Sequence, residues 1–324
     1  MNFYYTTLLI ISACLSRVVY AQTIPFGQSQ ETMDFSYSPT YSETWTIGYY
    51  KPANYDSLSS EIILYCHGQG GDQNEGYLLF HNIADRRGAL IVTPTASSSP
   101  WSNAGVTGAS YQAWMPEYFG ILYKHILNRE NDDEKGVRIV GFSAGGQCVT
   151  RYMLIRQGIC DSIPIKMAIS INPYFYTFST DSLDNIYFSY PWGIGQHPLY
   201  YMGSCCNEHI GGYYNENYTV LIGDADTVSL GDTWPIMLAQ GTTRYERAQN
   251  FYAFSQQDAI DRGTNLQWYY AEVPDIGHDG IAMVNTKASP ADTVTICEHY
   301  LFDMPYHEPQ KFLPTADFDY IIND

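Results

Sequence analysis

The sequence predicts an α/β protein, a mainly parallel sheet with helices on both faces, on three observations. Short β-rich apolar runs alternate with helical patterns for most of the length, the order that lays strands side by side with crossover helices between them. Runs such as Ile62-Ile63-Leu64 and Met167-Ala168-Ile169 lack polar alternation, which suits strands buried on both faces. No internal repeat and no linker interrupts the 324 residues, so residues 22–324 read as one domain.

The strands are expected at Thr44–Tyr50, Glu61–Cys66, Ala89–Thr93, Val137–Phe142, Lys166–Asn172, Tyr218–Ile222 and Gln267–Val273. The helices are expected at Gly76–Arg87, Glu117–Asn128, Ala144–Gln157, Tyr245–Ile260 and Ala291–Leu301. Two stretches break the rhythm. Residues 95–111 are rich in Ala, Ser, Gly and Asn and read as a long loop at the C-terminal end of a strand, where open α/β sheets bind ligands. Residues 174–214 hold eight Tyr, three Phe and one Trp, about twice the aromatic share of the whole chain. That excess predicts a cap insertion, its aromatics either lining a substrate pocket or packing as a small core of their own.

Hydrophobic residues make up 45% of the chain and charged residues 15%, enough apolar surface for a sizeable core and no disorder signature. Sixteen Lys and Arg against thirty-four Asp and Glu leave a net charge of −18, which repels polyanions. With no basic run to offset it, nucleic acid and anionic membranes are poor partners, and no nucleic acid is expected.

Residues 1–21 read as a signal peptide. The apolar stretch from Leu8 to Leu15 is followed by Val19-Tyr20-Ala21, with small residues where a signal peptidase would cut before Gln22. The expected location is therefore secreted, and no later stretch reaches the length of a membrane span. Export leaves Cys66, Cys148, Cys160, Cys205, Cys206 and Cys297 in an oxidising compartment, so disulfides are expected, with Cys205 and Cys206 the better candidates. Cys66 and Cys148 read equally well as small buried hydrophobes. Cys205, Cys206 and His209 lack a second ligand pair for zinc, and no metal is expected. Asn217-Tyr218-Thr219 is a glycosylation sequon, usable if exposed.

The strongest chemical signal is Gly141-Phe142-Ser143-Ala144-Gly145, preceded by a strand and followed by a helix. A serine nucleophile must be lifted on a tight strand-to-helix turn, and glycines two positions away on either side give the backbone room to pass. Cys66-His67-Gly68-Gln69-Gly70-Gly71 closes a buried strand, and its loop can turn a backbone N–H of Gln69, or alternatively Gly70, towards an oxyanion; the N–H of Ala144 is the second donor. His67 precedes the serine and is read as a structural residue orienting this loop. After the strand ending at Gly223, Asp224 and Asp226 both offer a carboxylate, and Asp226 is the expected acid. His278 follows the last strand and is the expected base, giving the chain order Ser143, Asp226, His278.

On these residues the sequence resembles the α/β-hydrolase superfamily across nearly all of the chain after the signal. Gly145-Gly146-Gln147, Asn172-Pro173, Pro191-Trp192-Gly193 and Ala239-Gln240-Gly241 with Arg244, Glu246 and Arg247 are similar to a group of secreted microbial serine hydrolases and esterases. The resemblance implies an α/β-hydrolase fold, transfer of an acyl group to water without a cofactor, and a small-molecule or polymeric ester substrate. Trp192, Tyr200 and Tyr201 are candidates for stacking on that substrate and Arg244 for clamping a substrate carboxylate; core packing and surface ion pairs are the plainer alternatives. Two other functions fit the residues: a peptidase or amidase on the same three side chains, and a non-catalytic binding protein on a hydrolase scaffold.

Overall fold

The computed structural model describes residues 23–38, 41–96, 115–156, 163–195 and 210–302. Ten strands are present among them: β1 (Gly27–Ser38), β2 (Tyr41–Lys51), β3 (Ile62–Cys66), β4 (Leu90–Ala96), β5 (Val137–Phe142), β6 (Ile165–Ile171), β7 (Ser182–Leu183), β8 (Ile186–Tyr187), β9 (Tyr218–Gly223) and β10 (Tyr269–Val273). Eight form one sheet in the order β1-β2-β4-β3-β5-β6-β9-β10, and β7 and β8 make a separate small hairpin. From β4 to β10 every neighbouring pair is parallel, whereas β2 pairs antiparallel with both β1 and β4.

All seven expected strands exist, and Val137–Phe142 has the expected bounds. β1 was not anticipated. Its residues 28–34 include only one large apolar side chain, Met33, and the strand is polar because it is the sheet's edge. Hydrogen bonding to β2, with Gly27 opposite Lys51 and Asp34 opposite Thr44, makes it a strand where side-chain periodicity gives no sign.

The helices α1 (Glu75–Arg87), α2 (Met115–Glu130), α3 (Ala144–Ile155) and α5 (Arg244–Asp261) follow the apolar patterns that predicted them. Two short helices were missed, α4 (Pro235–Leu238) and α6 (Gly280–Asn285). The last expected helix shrinks to α7 (Ile296–Leu301), because Thr295 caps it by accepting the Glu298 N–H. Ahead of that cap, Ser289 and Asp292 close a turn.

Alternation along β3 assigns the two faces. Ile62, Leu64 and Cys66 join the core beneath α2, α3 and α5, while Ile63 and Tyr65 join the core beneath α1, α6 and α7. Both faces of the sheet are thus covered, as the unbroken apolar runs require.

The described part of the aromatic insertion belongs to the first core. Phe175, Tyr176, Phe178, Phe188 and Trp192 are buried there, and Phe178 and Tyr176 both pack on Phe251 of α5. Tyr200 and Tyr201 lie outside the described residues, as do Cys160, Cys205 and Cys206 and the whole of 97–114.

Among the described residues there is no disulfide: Cys66, Cys148 and Cys297 are all buried thiols. The Cys148 thiol donates to Cys66 across 3.8 Å, far beyond the roughly 2.05 Å of a disulfide bond. For Cys66, Cys148 and Cys297 this corrects the expectation of disulfides, and it matches the reading of Cys66 and Cys148 as small buried hydrophobes. No helix among the described residues is long and apolar enough to cross a membrane. Asn217 is exposed just ahead of β9.

Candidate active site

Because β3, β5, β6, β9 and β10 run parallel, their C-terminal ends meet on one edge of the sheet, and each delivers one part of the site. β5 leads into Ser143, whose φ of 54° and ψ of −113° place a non-glycine residue in the positive-φ region. Its N–H is held by the Ile171 carbonyl at 2.8 Å. The glycines around it are sterically required. A Cβ on Gly141 would lie 2.2 Å from the Gly145 carbonyl oxygen, and one on Gly145 only 1.8 Å from the Cys66 carbonyl oxygen. Both obstacles are backbone atoms and cannot swing aside. Gly145→Ala is therefore expected to force the Ser143 turn away from β3 and destabilise the fold by about 1–3 kcal/mol, seen as a lower thermal midpoint.

His278, from the loop after β10, stands between Ser143 and Asp226. Its Nε2 is 3.1 Å from Ser143 Oγ and its Nδ1 is 3.0 Å from Asp226 Oδ2. The ring stacks on Phe142 with centroids 4.8 Å apart. Since a carboxylate only accepts, Nδ1 carries the proton and Nε2 presents its lone pair to the serine hydroxyl.

Asp226 is 2% exposed. Burial pushes its carboxyl upward, but the hydrogen bond and charge of His278, the charge of Arg244 and the amide of Asn172 together hold it below its ordinary value. Asp224, the other carboxylate on this loop, turns away: its Oδ1 accepts the N–H of Asp275 at 2.7 Å, where Asp275 has a φ of 60°.

The loop after β3 turns tightly over Gly68–Gly71. Gly71 N–H donates to Gly68 carbonyl at 3.1 Å, and Gly70, at φ 78°, occupies the position of such a turn that needs a positive φ. The turn lies beside Ser143, since a Cβ on Gly68 would be 3.7 Å from Ser143 Cβ. Gln69 is at its exposed centre. Ala144 opens α3, so its N–H belongs to the first turn, where no intrahelical acceptor exists. His67 is 4% exposed and donates from Nδ1 to the Gly68 carbonyl at 2.7 Å; burial lowers its pKa, so it holds the turn as a neutral ring.

The remaining candidates fall differently. Trp192 is 7% exposed, packed between Phe175 and Trp234 with centroids at 5.9 Å and 5.8 Å, so its ring belongs to the first core. Arg244 points inward: its Nη1 is 3.5 Å from Asp226 Oδ1 and its guanidinium lies over the Tyr174 ring. Arg247 is fully buried and bonds Asp232 and the Gly241 carbonyl, and Glu246 closes a capping box with Thr243. None of these three is a surface ion pair. Among the described residues no group of three His, Cys, Asp or Glu converges as a metal site.

Sequence reasoning missed one residue here. Asn172, quoted only as part of Asn172-Pro173, immediately follows β6 and bonds Asp226 directly. Its legible signal was position, since it follows the end of a parallel strand between those that carry Ser143 and Asp226.

No family model and no curated protein sequence matches this chain. Among solved structures it is similar to LpqC, a poly(3-hydroxybutyrate) depolymerase from Bordetella parapertussis, at 25% identity and a TM-score of 0.68, covering 86% of this chain and 92% of that one. It is also similar to poly(aspartic acid) hydrolase-1 from Sphingomonas sp. KT-1, at 19% identity and a TM-score of 0.66, covering 80% and 96%. By its sheet order, its strand directions and these two likenesses, the chain has the α/β-hydrolase fold.

Proposed function

We propose that this protein is a secreted serine hydrolase of carboxylic esters, with Ser143 as nucleophile, His278 as general base and Asp226 as the acid that orients it. The observation that carries the proposal is the continuous path from Asp226 Oδ2 through both nitrogens of His278 to Ser143 Oγ, at 3.0 and 3.1 Å. His278 Nε2 takes the hydroxyl proton as Ser143 Oγ attacks the ester carbonyl, and the imidazolium then gives it to the leaving alkoxide. Asp226 keeps the imidazole in the productive tautomer and offsets the charge that forms on it. The backbone N–H groups of Ala144 and of Gln69, with Gly70 as the alternative, stabilise the tetrahedral oxyanion. Water then repeats the sequence on the acyl-enzyme and releases the acid.

Residues 1–21 act as the export signal, 22–324 as the hydrolase domain, and 174–214 as a cap insertion whose aromatics Phe175, Tyr176, Phe178, Phe188 and Trp192 are packed into the first core. The depolymerase named above supports including a polymeric ester among the substrates.

The test is hydrolysis of p-nitrophenyl esters of increasing acyl length, feruloyl methyl ester, a polyester film and one anilide, by wild type and Ser143→Ala in parallel. Ester turnover that depends on Ser143 is expected, with an acyl-length profile that reports the pocket. Faster cleavage of the anilide than of every ester would replace the proposal with an amidase. A folded protein that turns over none of them, and whose Ser143 ignores a fluorophosphonate probe, would replace it with a binding protein.

A further inference from the structure

Four loops must hold station for the proposed chemistry, and they come from strands far apart in sequence. The end of β6 touches three of them. Ile171 carbonyl holds the Ser143 N–H at 2.8 Å, and the next residue, Asn172, uses its side chain on the other two. Asn172 Nδ2 donates to Asp226 Oδ2 at 2.8 Å and to the Gly277 carbonyl at 3.1 Å, while its Oδ1 accepts the Gly223 N–H at 3.2 Å. The flanking carbonyl and N–H leave the amide only one orientation. The residue is fully buried and sits at a φ of 44°, a conformation that asparagine tolerates better than most residues.

From this geometry we infer that Asn172 is a positioning residue for the Ser143–His278–Asp226 site, an amide clamp that locks the acid's loop to the histidine's loop and holds the oxygen of Asp226 facing His278. This deepens the ester-hydrolase reading and rests on it. Each bond has its own consequence. The Gly223 contact places the start of the acid loop, the Gly277 contact places the residue before His278, and the bond to Asp226 Oδ2 fixes the carboxylate's rotation about its own axis. The amide is neutral, so it stabilises the ionised acid without adding a titrating group. The titratable or charged groups that face this carboxylate are His278, from the loop after β10, and Arg244, from α5.

Two variants separate positioning from bulk stability. Asn172→Gly accepts the positive φ without strain and deletes the clamp. Asn172→Asp keeps the shape but has a donor only when protonated. With p-nitrophenyl butyrate well below the unfolding midpoint, Asn172→Gly is expected to lose about 10- to 100-fold in kcat, with KM within about twofold of wild type, as for one charge-assisted hydrogen bond. In Asn172→Asp two carboxylates face each other, which raises the pKa of the pair. Protonated, the introduced carboxyl can donate to Asp226 as the amide does; ionised, it repels it. The activity of this variant relative to wild type is therefore expected to fall as pH rises through that raised value, displacing its profile to the acid side. Fluorophosphonate labelling of Ser143, which needs the activated serine but no ester turnover, should slow in parallel with kcat.

Wild-type kcat and labelling rates in Asn172→Gly would overturn the clamp while leaving the ester-hydrolase reading intact. So would an Asn172→Asp profile with the shape of the wild-type profile, its loss tracking only a lowered thermal midpoint. A wild type that neither hydrolyses esters nor labels would overturn both.

Discussion

Ser143→Ala is expected to lower ester turnover by about 10⁶-fold while leaving the thermal midpoint within a few degrees of wild type. The hydroxyl's one polar contact in the described structure is with His278 Nε2. Deleting it removes the nucleophile without opening a cavity in either core. The turn itself is held by bonds that alanine keeps, namely Ser143 N–H to the Ile171 carbonyl and Gln147 N–H to the Ser143 carbonyl. The residual rate would come from binding and the oxyanion donors alone, so it should still exceed hydrolysis in water. Paired kinetics and thermal unfolding of the two proteins check this, and near-wild-type turnover by the variant would remove Ser143 from the mechanism.

Asp226→Asn is expected to cost about 10⁴-fold in kcat, and Asp224→Asn less than about tenfold. The difference follows from where donors point. Asp226 Oδ2 receives His278 Nδ1 and Asn172 Nδ2, and Oδ1 faces Arg244. An amide here must set its NH₂ against one of these donors, and when it faces His278 it favours the wrong imidazole tautomer. The Asp224 carboxylate instead accepts the Asp275 backbone N–H, a loop contact. The reverse ranking of the two variants would move the acid two residues along the chain.

The same carboxylate carries a pH signature in stability. Its pKa in the folded protein lies below the ordinary 3.8, so its stabilising contribution is complete above that value and lost as pH falls through the lower one. Urea unfolding of wild type and Asp226→Asn from pH 7 to pH 3 should show the gap between them narrowing only at the acid end.

How far the sequence carried is clearest in particular elements. Val137–Phe142 and the helix from Ala144 were legible because a fully buried parallel strand, a glycine-flanked serine and an apolar helix each leave a local pattern. Chain order alone placed an acid and a histidine after the serine. β1 was invisible because an edge strand exists through its partner's hydrogen bonds and needs no apolar face. α6 was hidden for a related reason: six residues are too short to show a period, and its start rests on Asp279 accepting the Ala282 N–H.

The sequence by itself determined the α/β class, the glycine-flanked turn at Ser143 and the residues eligible for each chemical role, since these depend on backbone sterics and patterns within a few residues. Tertiary structure alone brought Asp226 rather than Asp224 to His278, turned Arg244 inward beside Asp226, packed Trp192 into the core and brought Asn172 to the Asp226 carboxylate. The contacts that join Asn172, Asp226 and the His278 loop depend on the parallel packing of β6, β9 and β10, which sets residues 51 to 105 positions apart within hydrogen-bond distance, and no local pattern encodes a distance of that kind.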